Sequence, residues 1–322
     1  MKISPALRLD LFVVVITALT LSSTTVRADL PEGYRLLASD KGKVAIVSSG
    51  GKVEWETETK VDVHDLWLLP NGNILFPTTS TRVVEMTPEK KVVWEYEARP
   101  VESNKKHVEI HAIQPLDKGL VMIAESGNGR LVEVDRSGKV VHAIPLQLAK
   151  PDPHRDTRLV RRLENGYYLV CHEAEGAVRE YDRAGKVVWS YTLDLGGRPR
   201  SPGHGPEGHG TEVYGAWRLK SGNTLIAGGN NNRVLEVDRE GKVVWTLDQR
   251  ELPGITLAWV TQLHALPNGN IIVGNCHAGE ENPQLFEVTR DKKVVWQFKD
   301  FKTFGNGMAS SYLIGTPEGT VR

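Results

Sequence analysis

A short phrase that recurs along the chain is the feature that most limits its fold. Gly-Lys-Val-Val-Trp, or a close relative of it, occurs six times in 322 residues. The closing aromatic residues are Trp55, Trp94, His142, Trp189, Trp245 and Trp296, so consecutive copies are 39, 48, 47, 56 and 51 residues apart. That period is typical of the four-stranded blade of a β-propeller. The sequence therefore predicts an all-β, six-bladed β-propeller with four antiparallel strands in each blade.

Two kinds of turn divide each repeat into strands a, b, c and d. Asn-Gly pairs, as at residues 71–72 and 268–269, supply the positive backbone angles of a tight a–b hairpin. The Asp-Arg-x-Gly motif at 135–138, 182–185 and 238–241 predicts the c–d turn, because its Asp bonds the turn backbone and its Gly takes the left-handed position. The b–c loops vary in length.

The two ends of the repeat region complement each other. Residues 36–58 contain strands b, c and d without a strand a, whereas residues 308–319 contain one strand followed by a turn. We predict that this C-terminal strand is the inner strand of the first blade. Such pairing closes the ring and removes the unpaired sheet edges of an open arc.

Residues 1–28 have the features of a signal peptide. Lys2 and Arg8 precede an apolar run from Leu11 to Leu21, and Val26-Arg27-Ala28 offers a small-residue cleavage site. The run is too short to span a bilayer. We expect an exported, periplasmic or extracellular protein with one propeller domain at 29–322 and no membrane span in its mature form.

The charge balance argues against a nucleic-acid-binding protein, and the two cysteines argue against a fold that depends on disulfide bonds. The signal segment holds three basic residues and one acidic residue, so the mature chain keeps 37 basic and 39 acidic residues. This balance gives no basic footprint for nucleic acid. Cys171 and Cys276 are the only cysteines, and one blade is predicted to lie between theirs, so we predict that they are unbonded. We expect a monomer.

Aligned polar residues locate the candidate site. The residues eight positions before each a–b turn glycine are His64, His111, Arg158, Tyr214, Thr261 and Ser311. Because strand a lines the channel of a propeller, these side chains are predicted to form a polar ring at one channel mouth. The b–c loops lie on the same face, here called the top face, and add Glu125, His172, Glu173 and His277.

Other repeated or clustered residues are interpreted as structural. Strand c carries Glu85, Glu133, Glu180, Glu236 and Glu287 at one aligned position, which predicts contacts between blades. The repeated tryptophans are predicted to pack blades together. The longest insertion, residues 196–210, contains His204 and His209 among Gly and Pro residues and predicts a flap over the top face. No metal site is predicted.

Two stretches resemble known families. The stretch from Arg233 to Trp245 resembles the repeat of PQQ-like, quinoprotein-type propellers, and the stretch from His64 to Leu75 resembles bacterial arylsulfotransferases. The likeness extends over residues 34–322. An arylsulfotransferase takes a sulfuryl group onto a channel histidine and passes it to a phenol. Its Ser-x-Arg-His motif is matched by residues 274–277, with Cys276 in place of the arginine.

Three hypotheses of function follow. The first is a binding or scaffold module that takes a small molecule, glycan or protein on its top face, with ligand-binding candidates His64, His111, Arg158, Tyr214, Thr261, Glu125 and His172. The second, implied by the resemblance, is sulfuryl transfer with His64, His111, Arg158 and His277 as catalytic candidates. The third is a redox propeller holding PQQ. The sequence leaves the cofactor, the ligand and the presence of catalysis open.

Overall fold

The described part of the chain forms a ring of six sheets. In this computed structural model the described residues are Met1, 29–102, 107–149 and 151–322, so the predicted signal peptide beyond Met1 lies outside them. Each sheet has four antiparallel strands. Among the described residues, no helix has the length and hydropathy needed to cross a membrane. The six-bladed, four-stranded prediction is confirmed.

The strands follow the blades in chain order, apart from the last. Blade 1 contains β1 (Arg35–Asp40), β2 (Lys43–Ser48), β3 (Val53–Glu58) and β24 (Ser310–Ile314); blade 2 contains β4 (Trp67–Leu68), β5 (Ile74–Pro77), β6 (Arg82–Met86) and β7 (Val92–Glu97); blade 3 contains β8 (Glu109–Pro115), β9 (Val121–Ser126), β10 (Arg130–Val134) and β11 (Val140–Pro145). Blade 4 contains β12 (Val160–Arg162), β13 (Tyr168–His172), β14 (Ala177–Tyr181) and β15 (Val187–Thr192); blade 5 contains β16 (Gly215–Arg218), β17 (Thr224–Ala227), β18 (Val234–Val237) and β19 (Val243–Leu247); blade 6 contains β20 (Trp259–Ala265), β21 (Ile271–Cys276), β22 (Leu285–Val288) and β23 (Val294–Phe298).

The ring closes as predicted. Strand β24 pairs antiparallel with β1, and Leu36 lies opposite Leu313 while Ser39 lies opposite Ser310. Blade 1 is therefore built from both ends of the described region. This pairing leaves no blade with an unpaired inner strand.

The apolar core lies between blades. One cluster joins Ala112 and Met122 of blade 3 to Val160 and Tyr168 of blade 4. Strands b and c are almost completely buried, because both faces of each sheet pack against a neighbouring blade.

Repeated ion pairs also join the blades. The strand-c glutamates are largely buried, and four of them pair with an arginine in the c–d turn of the following blade: Glu85 with Arg136 at 2.6 Å, Glu133 with Arg183 at 3.1 Å, Glu180 with Arg239 at 2.7 Å and Glu236 with Arg290 at 2.5 Å. The predicted role of these glutamates in blade contacts is confirmed. The arginine of the Asp-Arg-x-Gly turn has the same role, which the sequence analysis had not assigned.

The repeated tryptophans bind the same turns. Their Nε1 atoms donate to a carbonyl of the next blade in four cases: Trp55 to Pro88 at 2.9 Å, Trp94 to Asp135 at 3.0 Å, Trp189 to Arg239 at 2.8 Å and Trp245 to Arg290 at 2.9 Å. Trp296 instead donates to Glu287 of its own blade at 2.6 Å. The repeated phrase therefore encodes a contact from strand d of one blade to the turn of the next.

Both cysteines are free and buried. Cys171 lies in blade 4 and Cys276 in blade 6, with blade 5 between them. The prediction that they are unbonded is confirmed.

Candidate functional site

Three of the six inner strands begin later than the sequence register placed them, and the other three begin one or two residues earlier. His64, Arg158 and Tyr214 lie before β4, β12 and β16. The backbone N–H groups of Arg158 and Tyr214 nevertheless donate to strand b of their own blades, at the carbonyls of Cys171 and Ala227. In blade 4, Leu159 N donates to Tyr214 O of the neighbouring blade at 2.9 Å, while Leu159 O accepts from Cys171 of its own blade. The ladder of β8 shifts register between Ile110 and Ile113, around His111. The ladder of β20 shifts in the same way around Thr261, between Val260 and Leu263. Ser311 lies within β24.

Three of the predicted residues lie close together at the top mouth of the channel. The imidazole rings of His64 and His111 are 5.1 Å apart, and Arg158 Nη1 is 3.1 Å from His64 Nε2. Glu109 and His154, which the sequence analysis missed, join them. We call these five residues the mouth network: His64, Glu109, His111, His154 and Arg158. They come from blades 2, 3 and 4 and their leading segments.

Arg158 determines which ring nitrogen of two neighbouring histidines can carry a proton. A guanidinium can only donate hydrogen bonds, and Arg158 approaches Nε2 of both His64 and His154 at 3.1 Å. Each neutral ring must then carry its proton on Nδ1. His154 Nδ1 donates to Glu109 Oε2 at 2.8 Å, whereas His64 Nδ1 is buried without a hydrogen-bond partner among the described residues. Burial and then the charge of Arg158 hold the pKa of His64 well below its usual value.

Arg158 is itself held by a carboxylate. Its Nε forms a very short ion pair with Glu173 Oε2, and the two residues are only 5% and 3% exposed. Burial raises the pKa of Glu173, although Arg158 opposes that rise. All three nitrogens of Arg158 therefore have protein partners. The side chain orients the mouth network instead of presenting an open fork.

His111 faces an oxygen at each ring nitrogen. Nδ1 lies 3.0 Å from the carbonyl of Thr157, and Nε2 lies 3.0 Å from Glu109 Oε2. Burial and then Arg158 lower the pKa of His111 to about 4, so the ring is neutral near pH 7. A neutral imidazole has one proton, and one of these contacts therefore joins two acceptors. The mouth network lacks one hydrogen-bond donor or cation at this position.

Three residues of the mouth network are of metal-ligand type. Donor atoms of Glu109, His111 and His154 lie within 4.8 Å of one another. Two features oppose a metal cation there: the proton on His154 Nδ1 and the guanidinium of Arg158. We therefore propose that the mouth network does not bind a metal ion.

Tyr214 crosses the top of the channel. Its hydroxyl lies 2.8 Å from the carbonyl of His64 and 2.7 Å from that of Ala309. A residue leading into blade 5 thus reaches the segments that precede blade 2 and β24. Burial raises the pKa of the Tyr214 hydroxyl well above its usual value, so the group remains a donor. Tyr214 thus connects blade 5 with the inner ends of blades 2 and 1.

The other candidate residues lie outside the mouth network. Glu125 accepts from Tyr96 at 2.5 Å and from Arg130 at 2.6 Å. His172 contacts Asp156 O and Tyr181 Oη, each at 2.9 Å. Thr261 is buried, and its Oγ1 lies so close to Gly274 that a side chain at that position would clash with it. These contacts hold loops and strands in place.

His277 belongs to the region of the flap. Its backbone has φ of 59°, and its ring lies 5.4 Å from that of His204, which also contacts Trp259 at 4.5 Å. A bridge between Ser201 and His209 joins the two sides of the flap to each other, and Gln249 outside the flap donates to the carbonyl of Pro206 at 2.7 Å. Beneath it lies a cavity of about 320 Å³, here called the flap pocket, lined in part by Glu173, His204, His209, Glu212, Asn230 and Trp259. Glu173 connects this pocket to the mouth network.

The fold and the blade contacts define a PQQ-like β-propeller. The chain belongs to the family described as "Outer membrane protein assembly factor BamB", whose model matches residues 40–298. This match confirms the predicted PQQ-like repeat. No curated protein sequence matches the chain.

Several solved structures share the fold. A protein of unknown function from Bacteroides caccae is 24% identical, with 87% of this chain and 98% of that chain covered and a TM-score of 0.72. A streptogramin B lyase is 12% identical, with 85% and 86% covered and a TM-score of 0.55. A catalytically inactive virginiamycin B lyase from Staphylococcus aureus with quinupristin is also 12% identical, with 85% and 88% covered and a TM-score of 0.53. At these identities the likeness extends to the fold alone.

Proposed function

We propose that the protein is an exported binding propeller that takes a small polar ligand at the mouth network and the adjoining flap pocket. The observation that carries the proposal is the incomplete hydrogen bonding of the mouth network. His64 Nδ1 has no acceptor among the described residues, and His111 faces two acceptors. Buried polar groups normally have partners, so such a site is suited to a ligand that supplies both an acceptor and a donor.

The flap pocket extends this site. Its lining carries both signs of charge, from Arg155 and Arg200 and from Glu173 and Glu212, beside the aromatic ring of Trp259. Mixed charge favours a polar or zwitterionic ligand over a strongly charged one. A volume of about 320 Å³ is sufficient for a small organic molecule.

Sulfuryl transfer is the alternative function. The feature that favours it is the guanidinium of Arg158, which lies between the rings of His64 and His154. A nucleophilic histidine needs a free nitrogen lone pair. In His64 the lone pair of Nε2 accepts from Arg158, and both nitrogens of His111 are engaged. Transfer would therefore require Arg158 to release His64. Turnover of 4-nitrophenyl sulfate with a phenol acceptor, lost in His64→Gln, would establish this alternative.

Export is supported by the N-terminal sequence and by the family. Residues 1–28 have the pattern of a signal peptide, and the family description concerns an outer membrane protein assembly factor. That description favours a periplasmic place and makes a protein a further candidate partner on the same face. Cell fractionation and N-terminal sequencing test this proposal, with Asp29 expected as the first residue.

The ligand can be sought by thermal shift of the mature protein. Aryl sulfates, PQQ, sugars and divalent metals are tested in parallel, because any ligand of the native state raises the melting temperature. His204→Ala removes an exposed side chain of the flap pocket, and Lys52→Ala, on the opposite face, is the matched control. We expect a shift that is reduced in His204→Ala only. Equal shifts in both variants would place the ligand outside the flap pocket.

A further inference from the structure

A second cavity lies at the opposite mouth of the channel. It has a volume of about 680 Å³ and is formed by the a–b turns of blades 4 and 5 together with Val321 and Arg322. We propose that this cavity, the lower pocket, binds a small organic molecule through a phosphate or sulfate group. The site is separate from the top-face site and does not depend on its function.

The lower pocket has an excess of positive charge. Its basic residues are Arg161, Arg162, Arg218, Lys220, Arg239 and Arg322, and its acidic residues are Glu164 and Glu180. Asp65 pairs with Arg161 and Glu133 with Arg162, while Glu180 is shared by Arg218 and Arg239. Among the described residues, Arg322 has no carboxylate side chain within ion-pair distance and Lys220 is exposed and unpaired, while the main-chain oxygen of Arg322 accepts from Arg161 Nε at 3.3 Å. An anion would balance this charge.

Burial and neighbouring positive charge lower the pKa of two arginines in the lower pocket. Burial and then the charge of Arg239 lower the pKa of Arg218 to about 10, and burial and then Arg161 lower that of Arg322 to about 9. Both groups remain charged at neutral pH. Arg322 is therefore a buried cation that has no ion pair of its own and lies near Arg161, whose counterion Asp65 only partly offsets the effect on Arg322.

Several buried donors in the lower pocket have no acceptor. Trp217 Nε1, Arg218 Nε, and Nε and Nη1 of Arg322 all lack a hydrogen-bond partner among the described residues. Trp217 is only 1% exposed, although it lines the pocket. Water could accept these hydrogen bonds but could not neutralise the charge. A phosphate or sulfate does both, because its oxygens accept several charge-assisted hydrogen bonds.

Arg322 is already held in a fixed position. Its Nη2 donates to the carbonyl of Leu66 at 2.9 Å, and its guanidinium lies over the rings of Tyr312 and Trp67 at 3.6 Å and 4.0 Å. The side chain therefore loses little conformational freedom on binding. Its two unpartnered nitrogens form a preorganised donor pair.

The size of the lower pocket indicates more than an inorganic ion. Leu163, Leu219 and Val321 add apolar surface beside the charged groups. A volume of about 680 Å³ falls within the range of sites for organic ligands. We therefore expect the anionic group to be attached to an apolar body.

Calorimetry at low ionic strength tests the proposal with three probes. Phenyl phosphate supplies anion and body, inorganic phosphate supplies the anion alone, and benzyl alcohol supplies an uncharged body. We expect phenyl phosphate to bind more tightly than inorganic phosphate and benzyl alcohol not to bind. Added salt should weaken binding, because the attraction is electrostatic.

Three variants locate the site. Arg322→Gln should weaken phenyl phosphate at least about tenfold, and Trp217→Phe, which removes an N–H but keeps an aromatic ring, about fivefold. Trp245→Phe is the control, because its Nε1 already binds Arg290 outside the pocket. Absence of phosphate binding by the wild type, or unchanged binding by both pocket variants, would overturn the proposal. If circular dichroism shows that Arg322→Gln is unfolded, Trp217→Phe decides.

Discussion

Arg161 and Asp65 form a bidentate ion pair across the channel, with Nη1 to Oδ2 at 2.8 Å and Nη2 to Oδ1 at 3.2 Å. The pair joins blade 4 to the segment before blade 2. Asp65 Oδ2 also accepts the backbone N–H of Ile113 in blade 3, at 3.1 Å. One buried carboxylate thus connects three blades at their inner ends.

Removing this carboxylate should destabilise the ring. Asp65→Ala leaves Arg161 buried without its counterion, and we expect a loss of about 3–5 kcal/mol in the free energy of unfolding. Urea denaturation measures it. Glu95→Ala, which breaks the exposed pair with Arg82, is the control and should cost less than about 1 kcal/mol. Equal losses of unfolding free energy in the two variants would show that the Asp65–Arg161 pair stabilises the protein no more than an exposed ion pair does.

The buried ion pair of Arg158 and Glu173 should also affect the free energy of unfolding. The sequence analysis placed Arg158 in a polar ring at the channel mouth, and in the structure it is only 5% exposed. Arg158→Met leaves Glu173 buried and unpaired, at a cost of about 3 kcal/mol. The double variant Arg158→Met/Glu173→Leu should recover most of that loss. A double-mutant cycle by chemical denaturation checks this, and additive losses would contradict it.

Stability should fall in acid partly because of His264. Burial, followed by the charges of Arg322 and Arg161, lowers the pKa of His264 to about 3. The unfolded chain binds a proton near pH 6.5, so stability is complete above that pH and falls as the pH drops towards 3. The loss from this residue should be about 3 kcal/mol at pH 4. His264→Gln should flatten the curve of unfolding free energy against pH, and a curve unchanged from wild type would refute the assignment.

The two thiols should be inert in the native state. Burial raises the pKa of both Cys171 and Cys276, and only a thiolate reacts readily. Iodoacetamide should modify neither in the native protein and both after denaturation without reductant. Mass spectrometry counts the modified thiols. Rapid labelling of native protein would contradict the buried placement.

Features that repeat along the chain could be predicted, and features that occur once could not. Six copies of the repeated phrase, five of them ending in Trp, established the number of blades, and equal register in neighbouring blades placed His64, His111 and Arg158 near one another. Glu109 stands two residues before His111, a spacing that puts both on one side of a strand, so that signal was present. His154 lies in a non-repeated insertion, and its place depends on tertiary packing.

The cross-channel pair and the lower pocket were missed for the same physical reason. Arg161 and Asp65 have no equivalents in the other repeats, and their contact depends on the diameter of the closed ring. In the sequence analysis the a–b turns were recognised only as tight hairpins and were given no functional residue. Their arginines and Trp217 form a cavity only when the two blades stand side by side.

The closure of blade 1 by β24 has a kinetic consequence. Blades 2 to 6 are each made of consecutive strands, so they can form locally as an open arc. Blade 1 cannot, because β1 must wait for a strand from the far end of the described chain. Contacts of such high sequence separation are slow to form, and an arc awaiting them exposes strand edges that can pair with other molecules. The yield of native protein therefore depends on the rate at which β24 pairs with β1 relative to the rate of aggregation.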